Sequence, residues 1–257
     1  MEEPGKWAQK GERDSVRGNH GSAAFFDLDK TLLARSSGEL YIRALREQGR
    51  LSRWELAKIL GTSALYGLRL LRPEGLMEKA AAWYEGEVEQ EMIDFCDEWF
   101  DRTVSDYLYT EAIERVREHQ EKGHVVALLT AATSYVAEPT CRYLGITHAL
   151  CTRMGVENGR FTGRLVKPLC HGKGKLYWAI EFCREHGLDL DTSYFYTDSI
   201  RDLPALEAVG NPRPINADRP LLRFARKRGW PAERFGKTLG RVDANQRFSL
   251  LRTRNRT

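Results

Sequence analysis

Ala23-Ala-Phe-Phe26 runs straight into Asp27-Leu-Asp29-Lys-Thr31, so an apolar stretch stops at two carboxylates. A short continuous apolar run of this kind predicts a strand buried on both faces, with the chain leaving the sheet at the acids. The period then changes. From Ser36 to about Tyr107 the apolar positions recur at helical spacing. Residues 38–48 carry Leu40, Tyr41, Ala44 and Leu45 on one side and stop at Gly49, which suits a helix C-terminus. Ser52-Arg-Trp-Glu55 matches a capping box. Behind it Trp54, Ala57, Leu60, Ala64, Leu65, Leu68 and Leu71 form an apolar stripe that reaches Pro73. Glu55, Lys58 and Arg69 interrupt that stripe, which makes it amphipathic, an inserted cap's core rather than a membrane span.

Beyond this block helices and strands alternate. Residues 111–121 predict a helix with Ile113 and Val116 inward and a stop at Gly123. His124-Val-Val-Ala-Leu-Leu129 predicts a second fully buried strand, with Thr130 at its end. Residues 134–144 suit a helix, in which Pro139 either removes an internal hydrogen bond or marks a first turn. Asn158-Gly159 between two short apolar segments predicts a hairpin. Residues 175–186 predict an amphipathic helix with Trp178, Ile180 and Phe182, and Tyr194-Phe-Tyr196 leads into Asp198 and Asp202, another strand ending in carboxylates. The pattern describes an α/β fold with a mostly parallel sheet and an inserted all-helical cap. The expected division is a disordered leader at 1–20, a core at 21–35 and 108–235, a cap at 36–107 and a basic tail at 236–257.

The 257 residues suffice for one large α/β domain with an insertion, and no apolar run approaches the ~20 residues that cross a bilayer. The first 20 residues lack the apolar stretch of a signal peptide. The net charge of +4 belongs to the C-terminus, where Lys237, Arg241, Arg247, Arg252, Arg254 and Arg256 face only Asp243. The body is therefore close to neutral, which gives no support to specific nucleic-acid binding. The tail's charge allows a weak peripheral contact with a membrane surface or RNA, but a solvated, frayed terminus is the simpler reading. Five cysteines, odd in number and without a Cys-x-x-Cys pair, indicate a reduced, cytoplasmic setting. The six histidines are not at ligand spacing, which argues against a zinc site. The oligomeric state is not legible in these patterns.

Four polar clusters fall at strand ends or helix starts: Asp27/Asp29/Thr31, Thr130, Lys173/Lys175 and Asp198/Asp202. In an open parallel sheet the carboxyl ends of neighbouring strands lie side by side, so these clusters can share one crevice. Each residue type answers a need of phosphoryl transfer. A carboxylate can attack phosphorus, a second can move a proton, a hydroxyl and an ammonium can bind phosphoryl oxygens, and a divalent metal can neutralise the assembled charge.

The motifs resemble those of the haloacid dehalogenase (HAD) superfamily, in particular subfamily IB, its phosphoserine-phosphatase-like (SerB/CicA-like) branch. Asp27-Leu-Asp29-Lys-Thr31 is similar to the first motif and Leu128-Leu-Thr130 to the second. Gly172-Lys-Gly-Lys175 is similar to the third, and Asp198-Ser-Ile-Arg-Asp202 with Leu203-Pro204 to the fourth. The similarity continues through Glu207-Ala-Val-Gly210 and Asn216-Ala-Asp218. The resemblance implies a Rossmann-like three-layer core and a Mg²⁺-dependent phosphatase that hydrolyses a small phosphorylated metabolite through an aspartyl-phosphate. By the same resemblance Asp27 is the nucleophile and Asp29 the general acid and base. Thr130 and Ala131, with Lys175 or Lys173, bind the substrate phosphate, and Asp27, Asp29, Asp198 and Asp202 hold the metal, Asp29 through its carbonyl. One position departs from the pattern. Nine residues after the nucleophile, where phosphoserine phosphatases of this kind carry a substrate-reading glutamate, stands Ser36, with Glu39 three further on. Phosphoserine itself is therefore disfavoured as substrate. Transfer of the phosphoryl group to an acceptor other than water, and a non-catalytic phospho-binding module, are the alternative readings. The lack of a second aspartate two residues beyond the phosphorylated one in receiver domains weighs against the latter.

Overall fold

The strand β1 (Ala23–Phe26) is buried along its whole length and alternates its side chains between the two faces of a sheet. Phe25 meets Phe182 edge-on with ring centroids 5.8 Å apart, while Phe26 stacks on Tyr196 at 4.4 Å. This arrangement comes from a computed structural model, which describes residues 21–52, 54 and 73–241. The Trp54–Leu71 stripe lies outside those residues apart from Trp54 itself, which is exposed.

Five parallel strands form the sheet in the order β3-β2-β1-β6-β7, with β2 Val125–Thr133, β3 His148–Thr152, β6 Tyr194–Thr197 and β7 Asn211–Pro214. The chain builds outward from β1 through β2 to β3, then returns to the other side of β1 for β6 and β7. That reversal makes a crevice at the carboxyl ends of β1, β2 and β6.

Two apolar layers sandwich the sheet. On one side Ala23, Phe25, Ala127, Leu129 and Phe195 pack against Ala179, Phe182 and Cys183 of α6 (Lys173–His186), Leu206 of the short α7 (Leu203–Leu206) and Leu221 of α8 (Arg219–Arg228). On the other side Phe26, Leu128 and Tyr196 pack against Ile113 and Val116 of α4 (Thr110–Glu121) and Val136 and Cys141 of α5 (Ser134–Leu144). The same layer receives Leu40 of α1 (Ser37–Glu47) and Trp99 and Phe100 of α3 (Glu89–Arg102). A further helix, α2 (Pro73–Ala82), precedes α3. This is the α/β architecture the pattern predicts, with the Rossmann-like layering that the resemblance implies.

Several local expectations are met almost to the residue, including α1, α4 and the limits of α5. Asn158 and Gly159 both take positive φ, 51° and 72°, in the turn between β4 (Met154–Glu157) and β5 (Arg160–Leu165). Of the two readings of Pro139, the structure takes the internal one, since it lies inside α5. Other features differ. Ile180 is 44% exposed, because the buried face of α6 runs through Lys175, Ala179, Phe182 and Cys183 at helical spacing, and Ile180 falls off that stripe. β7 carries Pro212 and Pro214, residues that read as strand breakers, yet it sits at the sheet edge, where a missing N–H is tolerated.

The hairpin, which falls within the stretch expected as core, is bonded to residues 86–89 of the helical segment. Gly86 N–H donates to the Phe161 carbonyl, Phe161 N–H to Glu87 and Glu89 N–H to Gly159. Phe161 is buried with Cys96 and Tyr135. The start of the basic tail is also part of the body. Thr110 N–H donates to Lys237 O and Leu239 N–H to Leu108 O, and Leu239 is fully buried. Leu239→Ala is accordingly expected to lower unfolding stability by about 2–4 kcal/mol, and an unchanged denaturant midpoint would show that this segment is only loosely laid on.

Candidate active site

Asp27 is the first residue past β1, and its N–H donates to Tyr196 O, so it still sits in the strand register. The chain then turns sharply, with the Leu28 carbonyl accepting from the amides of Thr31, Leu32 and Leu33 and Lys30 in the left-handed region at φ 58°. This turn brings Asp29 round beside the start of α1, where its Oδ1 accepts from Ser37 N–H at 2.8 Å and its Oδ2 from the Ser36 hydroxyl at 3.3 Å. Thr31 is fully buried, with its hydroxyl oxygen lacking a hydrogen-bond partner among the described residues.

Lys175 gathers the rest. Its side chain is 3% exposed and its Nζ stands 2.7 Å from both Asp27 Oδ1 and Asp202 Oδ2. Asp202 Oδ2 also accepts from the Thr197 hydroxyl at 2.6 Å, and the ammonium lies 5.6 Å from the centre of the Phe195 ring. Glycine makes this approach possible. A Cβ on Gly174 would fall 1.8 Å from the Leu169 carbonyl oxygen, so only glycine lets α6 begin this close to the preceding loop. Lys173, one turn-start earlier, is exposed and takes no part in the network. Of the two candidate lysines, Lys175 alone reaches the carboxylates.

Thr130 is buried within β2 rather than at its end, and its hydroxyl oxygen accepts from Ala132 N–H at 3.1 Å. Pairing with β3 shifts register between Leu129 and Thr133, so residues 130–132 lie at an irregularity of the ladder. Ala131 can contribute only backbone there. Asp198 follows β6, and its carbonyl accepts from Asp218 N–H at 2.8 Å. Asp218 in turn caps α8 and accepts from Ile200 N–H, which fixes the loop carrying Asp198 and Asp202. Sequence reading missed Thr197 and Asp218 as site supports, since a strand-end threonine and a helix cap have ordinary local uses. His171 lies in the loop that precedes α6. It is half-buried, burial lowers its pKa, and it feels the charges of Asp202 and Lys175.

The electrostatics are unbalanced. Burial, reinforced by Asp202 and Asp198, pushes the Asp27 carboxyl up to about 7 against the opposing pull of Lys175. Asp198 is pushed up to about 6, chiefly by burial and also by Asp202 and Asp218, with Lys30 pulling the other way. Burial raises Asp29 as well, opposed by its bonds from Ser37 and Ser36. Burial alone would depress Lys175, but Asp202 and Asp27 outweigh it and hold the ammonium well above the ordinary lysine range. One buried ammonium thus serves two of these carboxylates directly. Among the described residues no three His, Cys, Asp or Glu side chains form a ready metal cage. The donor set nevertheless fits a hard cation such as Mg²⁺, which takes carboxylate and carbonyl oxygens and keeps several waters.

Residues 24–207 match the haloacid dehalogenase-like hydrolases. The chain belongs to that family. It is 34% identical over 229 residues to a probable phosphatase of Mycobacterium tuberculosis, covering 86% of this chain and 78% of that protein. It is 33% identical over 220 residues to phosphoserine phosphatase SerB1 of the same organism, covering 83% and 71%. A protein of unknown function from Bordetella pertussis superposes with a TM-score of 0.77 at 29% identity, over 83% of this chain and 98% of that one. The chain is thus a family hydrolase, and these relatives are consistent with a phosphoric monoester hydrolase.

The raised pKa of Asp198 has a stability consequence. Its penalty is absent below the ordinary value of 3.8 and fully present above about 6. Asp198→Asn is expected to stabilise the metal-free protein by about 1–2 kcal/mol at pH 8 and to change little at pH 4. Thermal unfolding at both pH values checks this, and destabilisation at pH 8 would contradict the assigned charge imbalance.

Proposed function

We propose that this hydrolase is a Mg²⁺-dependent phosphatase acting on a small phosphorylated metabolite through an aspartyl-phosphate on Asp27. The observation that carries the reading is the buried Lys175 ammonium shared by Asp27 and Asp202, with Asp29 held beside them at the start of α1. In the first step an Asp27 oxygen bonds to phosphorus while the ester P–O bond breaks, and Asp29 protonates the departing alkoxide. In the second, water attacks phosphorus, Asp29 takes its proton, and the bond to Asp27 breaks to release inorganic phosphate. Lys175 holds Asp27 Oδ1 in place and offsets its charge, and the Thr130 hydroxyl with the Ala131 amide would bind phosphoryl oxygens. The Asp27, Asp198 and Asp202 side chains and the Asp29 carbonyl would hold Mg²⁺, which supplies charge neutralisation for an anionic nucleophile meeting an anionic substrate.

Helices α1 to α3, with the hairpin β4–β5 bonded to them, would form the cap that reads the leaving group over the rest of residues 21–35 and 108–235. The five cysteines are free thiols and no described helix is long and apolar enough to cross a membrane, which suits a cytoplasmic enzyme. Ser36 occupies the position of the substrate-reading glutamate and is engaged with Asp29, which favours a phosphomonoester other than phosphoserine.

Phosphate release from a panel of small phosphomonoesters should depend on Mg²⁺ and fall by at least about 10³-fold in Asp27→Asn. Activity persisting in that variant would remove Asp27 as nucleophile. Asp29→Asn should turn over about 10²–10⁴-fold more slowly; near-normal steady-state turnover would remove Asp29 from proton transfer.

A further inference from the structure

We propose that Ser36 is a positioning residue for Asp29, so that the start of the first cap helix aims the carboxyl group that delivers the proton. The inference rests on Asp29 being the general acid and goes beyond that assignment to the residues that aim it.

Consecutive residues at the start of α1 engage both oxygens of Asp29. Ser37 N–H donates to Oδ1 at 2.8 Å, and the Ser36 hydroxyl stands 3.3 Å from Oδ2. The two partners differ in kind. A backbone N–H only donates, so Oδ1 remains an acceptor in every protonation state. A hydroxyl both donates and accepts, so it can serve Oδ2 as a carboxylate or as a carboxylic acid. The Ser37 side chain bears on Asp29 as well, so both serines at the start of α1 hold the carboxyl group.

Ser36 is also withdrawn from its ordinary use. It occupies the N-cap position of α1 with extended backbone, φ −71° and ψ 128°, and its carbonyl accepts the first helical bond from Leu40 N–H. An N-cap serine usually turns its hydroxyl onto the amides of its own helix. Here it makes no such bond. The side chain points back across the chain reversal to the loop after β1.

The placement joins Asp29 to the cap. Just before Ser36, Ala34 N–H donates to Tyr107 O and Leu33 bridges Leu108, so the outgoing and returning connections of the helical insertion are fastened together. Ser36 is two residues beyond that fastening. A rotation of α1 about it would carry the Ser36 hydroxyl and the Ser37 amide away from Asp29 together, and would free the carboxyl group to turn.

Leaving-group dependence tests this with the full-length protein. An alkyl phosphomonoester needs its leaving oxygen protonated, whereas p-nitrophenyl phosphate scarcely does. Ser36→Ala should lower kcat/KM for the alkyl ester about tenfold and for p-nitrophenyl phosphate by less than about threefold. Ser36→Thr, which keeps the hydroxyl, should restore the alkyl ester. Thermal unfolding of both variants verifies that they fold. Equal losses on both esters, no loss on either, or failure of threonine to rescue would overturn the proposal. A wild-type protein inactive on both esters would overturn the phosphatase reading itself, and the positioning with it. An active wild type with equal losses would overturn the positioning alone.

Discussion

A single buried ammonium group organises this molecule's site. Lys175 lies at the start of α6 and reaches two carboxylates from different strand ends, Asp27 after β1 and Asp202 beyond β6. Removing such a charge from water carries a penalty of several kcal/mol, and only close, hydrogen-bonded partners offset it. The partners must therefore stand where the sheet delivers them, and α6 must start where Gly174 lets it approach Leu169. Breaking the arrangement on either side would leave an uncompensated buried ion.

The same interaction explains why the site is poised rather than relaxed. One lysine does not neutralise Asp27, Asp198 and Asp202 together, and the excess shows in the raised carboxyls of Asp27 and Asp198. A protein optimised only for stability would not keep these acids buried side by side. The apolar layers that tolerate this are well filled, with Phe25 and Phe26 sending their rings to opposite faces of the sheet. Repulsion held in a rigid frame is what a bound cation would relieve.

The junction between the sheet and the helical insertion is built from segments remote in sequence. Leu33 bridges Leu108 and Tyr109 bridges Thr238, so the exit, the return and the C-terminal segment lie side by side. Leu239 is buried in the same apolar layer that holds Leu40, Trp99 and Phe100. The hairpin β4–β5 reaches across from the other half of the chain to bond residues 86–89. The helical segment is thereby gripped at its base and along its side.

Much of this was legible in local pattern. Burial on both faces leaves a continuous apolar run, so β1 and the start of β2 could be read directly, and positive φ at two successive residues explains why Asn158-Gly159 announced the hairpin. The spacing of Asp27 and Asp29, with Asp198 and Asp202, pointed to phosphoryl-transfer chemistry, and the fold brings Asp27 and Asp202 to one lysine. What remained hidden depends on contacts between distant segments. Two prolines conceal β7, since only its place at the edge makes them acceptable. Lys173 and Lys175 look alike until the helix direction buries one and exposes the other. Basic composition made residues 236–241 look like tail, although Leu239 finds its pocket in the fold. Ser36 could be read as a departure from a pattern, but its bond to Asp29 exists only because the turn after β1 folds the two together. Sequence determines the elements and the reactive groups through local sterics and periodicity; the tertiary structure decides which groups meet, because distance and desolvation arise only when the chain closes on itself.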